Sequence, residues 1–153
     1  VGEDVEIGAV VTDTRALPGA PLTPASGGGQ GATPPPRGPM FVALKGERFD
    51  GHDHVAAAVR AGVVAALVSR ESDASIPQLV VADTQRALAD IARGIQHGRP
   101  ARRIAVTGSN GKTSVKALAL SILQVATGDA PGAAYATPGN RNNEIGVPLA
   151  VID

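Results

Sequence analysis

Residues 102–116 read Arg-Arg-Ile-Ala-Val-Thr-Gly-Ser-Asn-Gly-Lys-Thr-Ser-Val-Lys, and no other stretch constrains the fold of this chain so tightly. Ile104 to Val106 is a short apolar run of strand type, Gly108 to Gly111 is too glycine-rich for either regular structure, and Lys112 opens a helical pattern. Strand, glycine loop and helix in that order leave backbone N–H groups facing one hollow at a helix N-terminus, where unpaired donors and the helix dipole favour an anion. The pattern predicts a phosphate cradle made by Gly108, Ser109, Asn110, Gly111, Lys112, Thr113 and Ser114. Gly108 and Gly111 let the backbone approach phosphate oxygens, Lys112 supplies a point charge to the β- and γ-phosphates, and the Thr113 hydroxyl is placed to ligate magnesium. The spacing is G-x-x-G-K-T and not the longer G-x-x-x-x-G-K-[ST], because Val106 stands where the longer motif has glycine. An ordinary glycine-rich turn with a solvent-facing lysine is the alternative.

A chain of 153 residues makes one ordinary domain or two small ones. Its formal net charge is zero, so no bulk attraction to nucleic acid or to an anionic membrane is expected. Cysteine is absent, which excludes disulfides and thiolate metal sites and fits a reducing compartment. Apolar runs such as Ala61 to Val68 fall far short of the roughly 20 residues that a membrane span needs, so no membrane insertion is expected. The chain opens on Val1 without a charged-then-apolar leader and stops soon after Lys112, before the further βα units that a doubly wound nucleotide domain requires. The expectation is an incomplete chain.

Before the glycine loop, Glu6 to Thr12 reads as a strand that runs into the polar cluster Asp13-Thr14-Arg15, at the kind of strand end where ligand contacts gather. Seven of the twelve prolines fall between Pro18 and Pro39, together with Gly27, Gly28 and Gly29. Such a segment cannot bury enough surface to offset its ordering entropy, and a flexible insertion over residues 21–39 is expected. Met40 to Leu44 is a buried-type strand, followed by a polar loop, a helix from Val55 to Ala61, and strands at Val63–Val68 and Gln78–Val81. Leu88, Ile91, Ala92 and Ile95 recur at helical spacing between Asp83 or Thr84 as N-cap and Gly98. His52 and His54 read better as a loop hydrogen bond or substrate contact than as metal ligands. After the loop, Thr113 to Val125 is expected to lay Val115, Leu118, Ala119, Ile122 and Leu123 on a sheet. Tyr135–Thr137 is a short candidate strand, and Pro148 favours a helix at the end of the chain over a strand leading to Asp153. The fold class is α/β: a small domain over residues 1–98, then the beginning of a P-loop parallel-sheet ATPase domain over residues 99–153, with Gly98-Arg99-Pro100 as the hinge.

Three stretches together resemble the Mur ligase family. They are Thr12 to Gly19 with Met40–Gly46 and Phe49–His52, the Thr107–Ser114 loop, and Thr137 to Pro148. The last resembles the branch of the family that joins D-alanyl-D-alanine to UDP-MurNAc-tripeptide, and the tripeptide-synthetase branch shares only the first two. The insertion at residues 21–39 departs from the family pattern and stands beside the expected uridine pocket.

The resemblance implies a monomeric cytoplasmic enzyme of peptidoglycan synthesis that uses ATP and Mg2+. The tripeptide carboxylate would take the γ-phosphoryl group as an acyl phosphate, which the D-alanyl-D-alanine amine then attacks. It further implies that residues 1–98 bind the UDP-sugar. Lys112 and Thr113 would serve ATP and magnesium, with Lys112 the catalytic candidate. Thr14, Arg15, Lys45, Gly46, Asp50 and His52 would serve the UDP end of the substrate, and Thr137, Asn140 and Asn143 its sugar or phosphate part. The chain by itself is expected not to ligate. A non-catalytic nucleotide or UDP-sugar binding module, the tripeptide-synthetase branch, and an unrelated P-loop ATPase are the alternatives.

Overall fold

The computed structural model describes residues 4–16, 37–128, 130–139 and 141–152. Strands β1 (Glu6–Val11), β2 (Arg37–Val42), β3 (Ala65–Val68) and β4 (Gln78–Val80) lie side by side in that order, every neighbouring pair parallel. Helix α1 (Val55–Arg60) connects β2 to β3, and α2 (Thr84–Gly98) follows β4. Helices α3 (Lys112–Ala126) and α4 (Gly146–Ile152) complete the chain.

The period of two along each strand divides the core between the two faces of the sheet. Phe41, Ala43, Ala66 and Val68 point to one face, where Val55 and Ala58 of α1 cover them. Met40, Val42, Ala65 and Leu67 point to the other, against Leu88 of α2. All four residues of β3 are buried, as a continuous apolar run predicts for a strand covered on both sides. Asp83 accepts the amide of Arg86 at 2.9 Å and so caps α2, and Gly62 follows α1 at φ 96°, the left-handed turn that ends a helix. Ile145, Leu149 and Ile152, far along the chain, pack on the α2 face of the sheet beside Leu88.

The structure differs from the expected elements in four places. Strand β2 begins at Arg37, so Arg37, Gly38 and Pro39 belong to the sheet and not to the insertion; residues 17–36 lie outside those described. Pro39 is tolerated because it pairs with Ala9 where the β1 register shifts, and its carbonyl still accepts the Val64 amide at 3.0 Å. Ile104–Val106 and Tyr135–Thr137 form no strand, because a parallel strand exists only through its ladder and no described residue pairs with them. The apolar side of α3 is not laid on a sheet: among its described residues none is buried, and Ile122 is 68% exposed.

Candidate functional site

In an all-parallel sheet the loops that leave the carboxyl ends of the strands meet at one edge, where α/β folds bind their ligands. Here those loops carry Asp13–Arg15 after β1, Lys45–His52 after β2, Ser69 and Arg70 after β3, and Asp83 and Thr84 after β4. Thr14, Arg15, Lys45, Gly46, Asp50 and His52, scattered in sequence, therefore share this edge.

Arg15 is turned onto Asp13. Its Nε donates to Oδ1 at 2.9 Å and its terminal nitrogen to Oδ2 at 2.5 Å, while its backbone amide donates to Oδ1 at 2.9 Å. The side-chain hydrogen bond from Arg15, then the backbone one, lowers Asp13 to about 2. Thr14 begins a 3-10 turn, Thr14–Ala16. The loop after β2 is tied by Gly46 N–H to the Phe49 carbonyl and by Gly51 N–H to the Leu44 carbonyl, both 2.8 Å, with Lys45 and Asp50 bridged as an antiparallel pair. Exposed Phe49 stacks on His54, ring centroids 4.9 Å apart.

Asp50 and His52 organise this edge. The carboxylate of Asp50 caps the turn Gly51–His54 by accepting the His52 amide at 3.0 Å, and it meets His52 Nδ1 at 2.6 Å. Arg70 donates to its other oxygen at 3.0 Å. These contacts, the His52 backbone and side-chain hydrogen bonds before Arg70, lower Asp50 to about 2. His52 is buried, and its Nε2 accepts the Ser69 amide at 2.8 Å, which leaves Nδ1 to carry the ring proton to Asp50. Ser69 Oγ lies 3.0 Å from the same Nε2. The order Asp50, His52, Ser69 has the form of a nucleophile triad, but the Nε2 lone pair already receives an amide N–H, so the arrangement locks two loops together and does not activate the hydroxyl.

At the glycine loop, Gly108 (φ 142°) and Gly111 (φ 77°) adopt left-handed backbone, and Gly111 stands directly before α3. A Cβ at Gly111 would meet nothing within 4 Å, so the space beside the helix start is open. Lys112 Nζ folds back over the loop and donates to the carbonyls of Gly108 and Ser109. Ser109, Asn110, Thr113 and Ser114 are exposed around it. The predicted cradle residues are thus together, although no strand precedes them.

The third predicted group divides. Thr137 offers its carbonyl to Lys116 Nζ at 2.6 Å, close to the glycine loop. Asn140 lies outside the described residues. Asn143 Oδ1 accepts the Gly146 amide at 2.6 Å, which makes it a cap for α4. Gly146 is required there, since a Cβ would stand 2.8 Å from Arg141 Cα. Among the described residues no cluster of three or more His, Asp or Glu side chains has the form of a metal site.

Three contributors escaped the sequence reading, Ser69, Arg70 and Lys116, while Thr84, expected only as an alternative helix cap, donates its hydroxyl to the Ala43 carbonyl at 2.9 Å. The position of Ser69 and Arg70 directly after a buried strand was a usable signal, and so was the spacing of Lys116 one turn beyond Lys112.

Residues 30–107 match the model of the Mur ligase family, catalytic domain, and residues 106–153 that of the Mur ligase middle domain. The UDP-N-acetylmuramoyl-tripeptide--D-alanyl-D-alanine ligase of Escherichia coli K12 is 43% identical over 151 residues, 99% of this chain and 28% of the relative. A crystal structure of MurF from Acinetobacter baumannii superposes with a TM-score of 0.72 at 36% identity, over 95% of this chain and 27% of that one. The MurF ligase of Thermotoga maritima in complex with ADP gives 0.69 at 29% identity, over 95% and 29%. The chain spans under a third of the length of each of these relatives. With a parallel sheet whose polar loops gather at one edge, a glycine-capped helix carrying Lys112, and family models that cover it from residue 30 onward, the chain belongs to the Mur ligase family.

Proposed function

We propose that this chain supplies the UDP-sugar and ATP-loop portions of an amide ligase that joins D-alanyl-D-alanine to UDP-MurNAc-tripeptide in peptidoglycan precursor synthesis. The observation that carries the reading is the left-handed Gly111 at the start of α3, with open space beside it and Lys112 folded across the loop. The name of the Escherichia coli relative, matched along 99% of this chain, supports the substrates, and the ADP held by the Thermotoga maritima relative supports the nucleotide.

The residues present fit ATP and Mg2+. Backbone N–H groups in the first turn of α3 have no intrahelical acceptor, so they would be free to bind phosphate oxygens. Lys112, which donates to the carbonyls of Gly108 and Ser109, would neutralise phosphate charge, and Thr113 would hold the metal ion. ATP, when bound, supplies the phosphoryl group that activates the tripeptide carboxylate. Residues 1–98 act as the UDP-sugar domain through Thr14 and Arg15 after β1 and Lys45 and Gly46 after β2, with Asp50 and His52 holding the loop that carries Lys45 and Gly46; residues 99–153 begin the ATP domain, and the loop at Thr137 meets the sugar or phosphate part of the UDP-sugar. The same reading makes the enzyme cytoplasmic and monomeric.

Calorimetric titration of the chain with UDP-MurNAc-tripeptide, and separately with a non-hydrolysable ATP analogue and Mg2+, tests the assignment. Both should bind at one site each. Nucleotide binding without any UDP-sugar binding would instead mark an ATPase of different specificity.

A further inference from the structure

We propose that Lys116 is a positioning residue that couples the nucleotide loop to the Thr137–Gly139 loop, an inference that rests on the ligand assignment above. Lys116 lies one turn beyond Lys112, so both side chains leave the same side of α3. Lys112 reaches back to the carbonyls of Gly108 and Ser109. Lys116 reaches the other way, and its ammonium donates to the carbonyls of Thr137 at 2.6 Å and Gly139 at 2.9 Å. Those two carbonyls flank Pro138, whose ring restricts the backbone, and Gly139 turns at φ 55°, so both converge on one cation. Among the described residues neither ammonium is paired with a carboxylate. Hydrogen bonds from an ion to neutral carbonyls are the strong kind, and here they join α3 to this loop.

Phosphates entering the hollow compete with the Gly108 and Ser109 carbonyls for Lys112. A resulting shift of the first turn of α3 is carried by a rigid helix to Lys116, one turn away, and so to the loop that leads into the Asn143 cap of α4. Nucleotide occupancy and the placement of the loop are then two readings of one equilibrium, and the coupling acts in both directions.

The test compares the unaltered chain with Lys116→Met and Lys116→Arg. UDP-MurNAc-tripeptide is titrated with and without saturating ATP analogue and Mg2+, and hydrogen exchange is followed at the amides of residues 139–146. In the unaltered chain the nucleotide should tighten UDP-sugar binding by about fivefold or more. Lys116→Met should abolish that factor and speed exchange in the loop, leave the nucleotide Kd within about twofold of the unaltered value, and leave exchange in β2 and β3 unchanged. Lys116→Arg, which can still donate to both carbonyls, should restore most of the coupling. Full coupling in Lys116→Met, or two ligands that bind the unaltered chain independently, would overturn the proposal while sparing the ligand assignment. Loss of exchange protection throughout the sheet in Lys116→Met would overturn it in favour of a purely structural strap. Failure of the unaltered chain to bind either ligand would remove the assignment and this inference together.

Discussion

Gly51 approaches Leu44 so closely that a Cβ on Gly51 would stand 2.8 Å from both the amide nitrogen and the carbonyl oxygen of Leu44. Both obstacles are backbone, and the Gly51 amide is itself bonded to that carbonyl at 2.8 Å, so neither side can yield without opening the loop. Gly51→Ala should therefore destabilise the chain by about 1–3 kcal/mol, the usual cost of overpacking, read as a lower urea midpoint. Because the loop carries Lys45, Gly46 and Asp50, UDP-sugar affinity should fall with it. An unchanged midpoint would show that the close approach is not maintained in solution.

Asp50 is held down to about 2 by the His52 amide, the His52 ring and Arg70. Its folded value lies below the ordinary 3.8, so the stability it contributes is complete above that value and is lost as pH falls toward 2. Urea midpoints of Asp50→Asn should lie below those of the unaltered chain near neutral pH, and the two should converge as the solution is acidified through this window. A gap of constant size down to the lower limit would refute the assignment.

Thr84 is buried, and its hydroxyl donates to the Ala43 carbonyl at 2.9 Å just beyond the end of β2. Thr84→Val keeps the shape but leaves that carbonyl without its donor, at a cost of about 1–3 kcal/mol. Thr84→Ser should recover most of the loss. Guanidinium denaturation of both variants makes the comparison.

Among the described residues the Lys112 ammonium donates to carbonyls of its own loop and to no other element, so Lys112→Met should leave folding stability within about 0.5 kcal/mol. Removing a charged partner of the phosphates should weaken binding of the ATP analogue roughly ten- to hundredfold. Tm and calorimetric titration, measured together, separate the two effects. Equal nucleotide affinity in the variant would remove Lys112 from the phosphate site.

Elements whose signals are local were legible in the amino-acid order. The buried runs at Met40 and Val63, the Asp83 cap with its helical apolar spacing, and the glycine loop that opens α3 all appear close to their expected positions. Each depends on neighbours a few residues away, where propensity and periodicity act. The expected strands at Ile104–Val106 and Tyr135–Thr137 did not form for the opposite reason, since a strand is made by a partner that its own residues do not encode.

The candidate site divides along the same line. Residue order alone determined that Lys112 follows a left-handed glycine at a helix start, and that polar clusters follow the β-strands, because covalent succession places them there. Only the tertiary structure decided that Ser69 would take up the Nε2 atom of His52, that Asn143 would cap α4, that Leu149 would complete the core beside Leu88, and that Lys116 would reach Thr137. Each of these contacts joins atoms whose meeting depends on how whole elements pack, and packing sums many weak contributions that no single stretch of sequence carries.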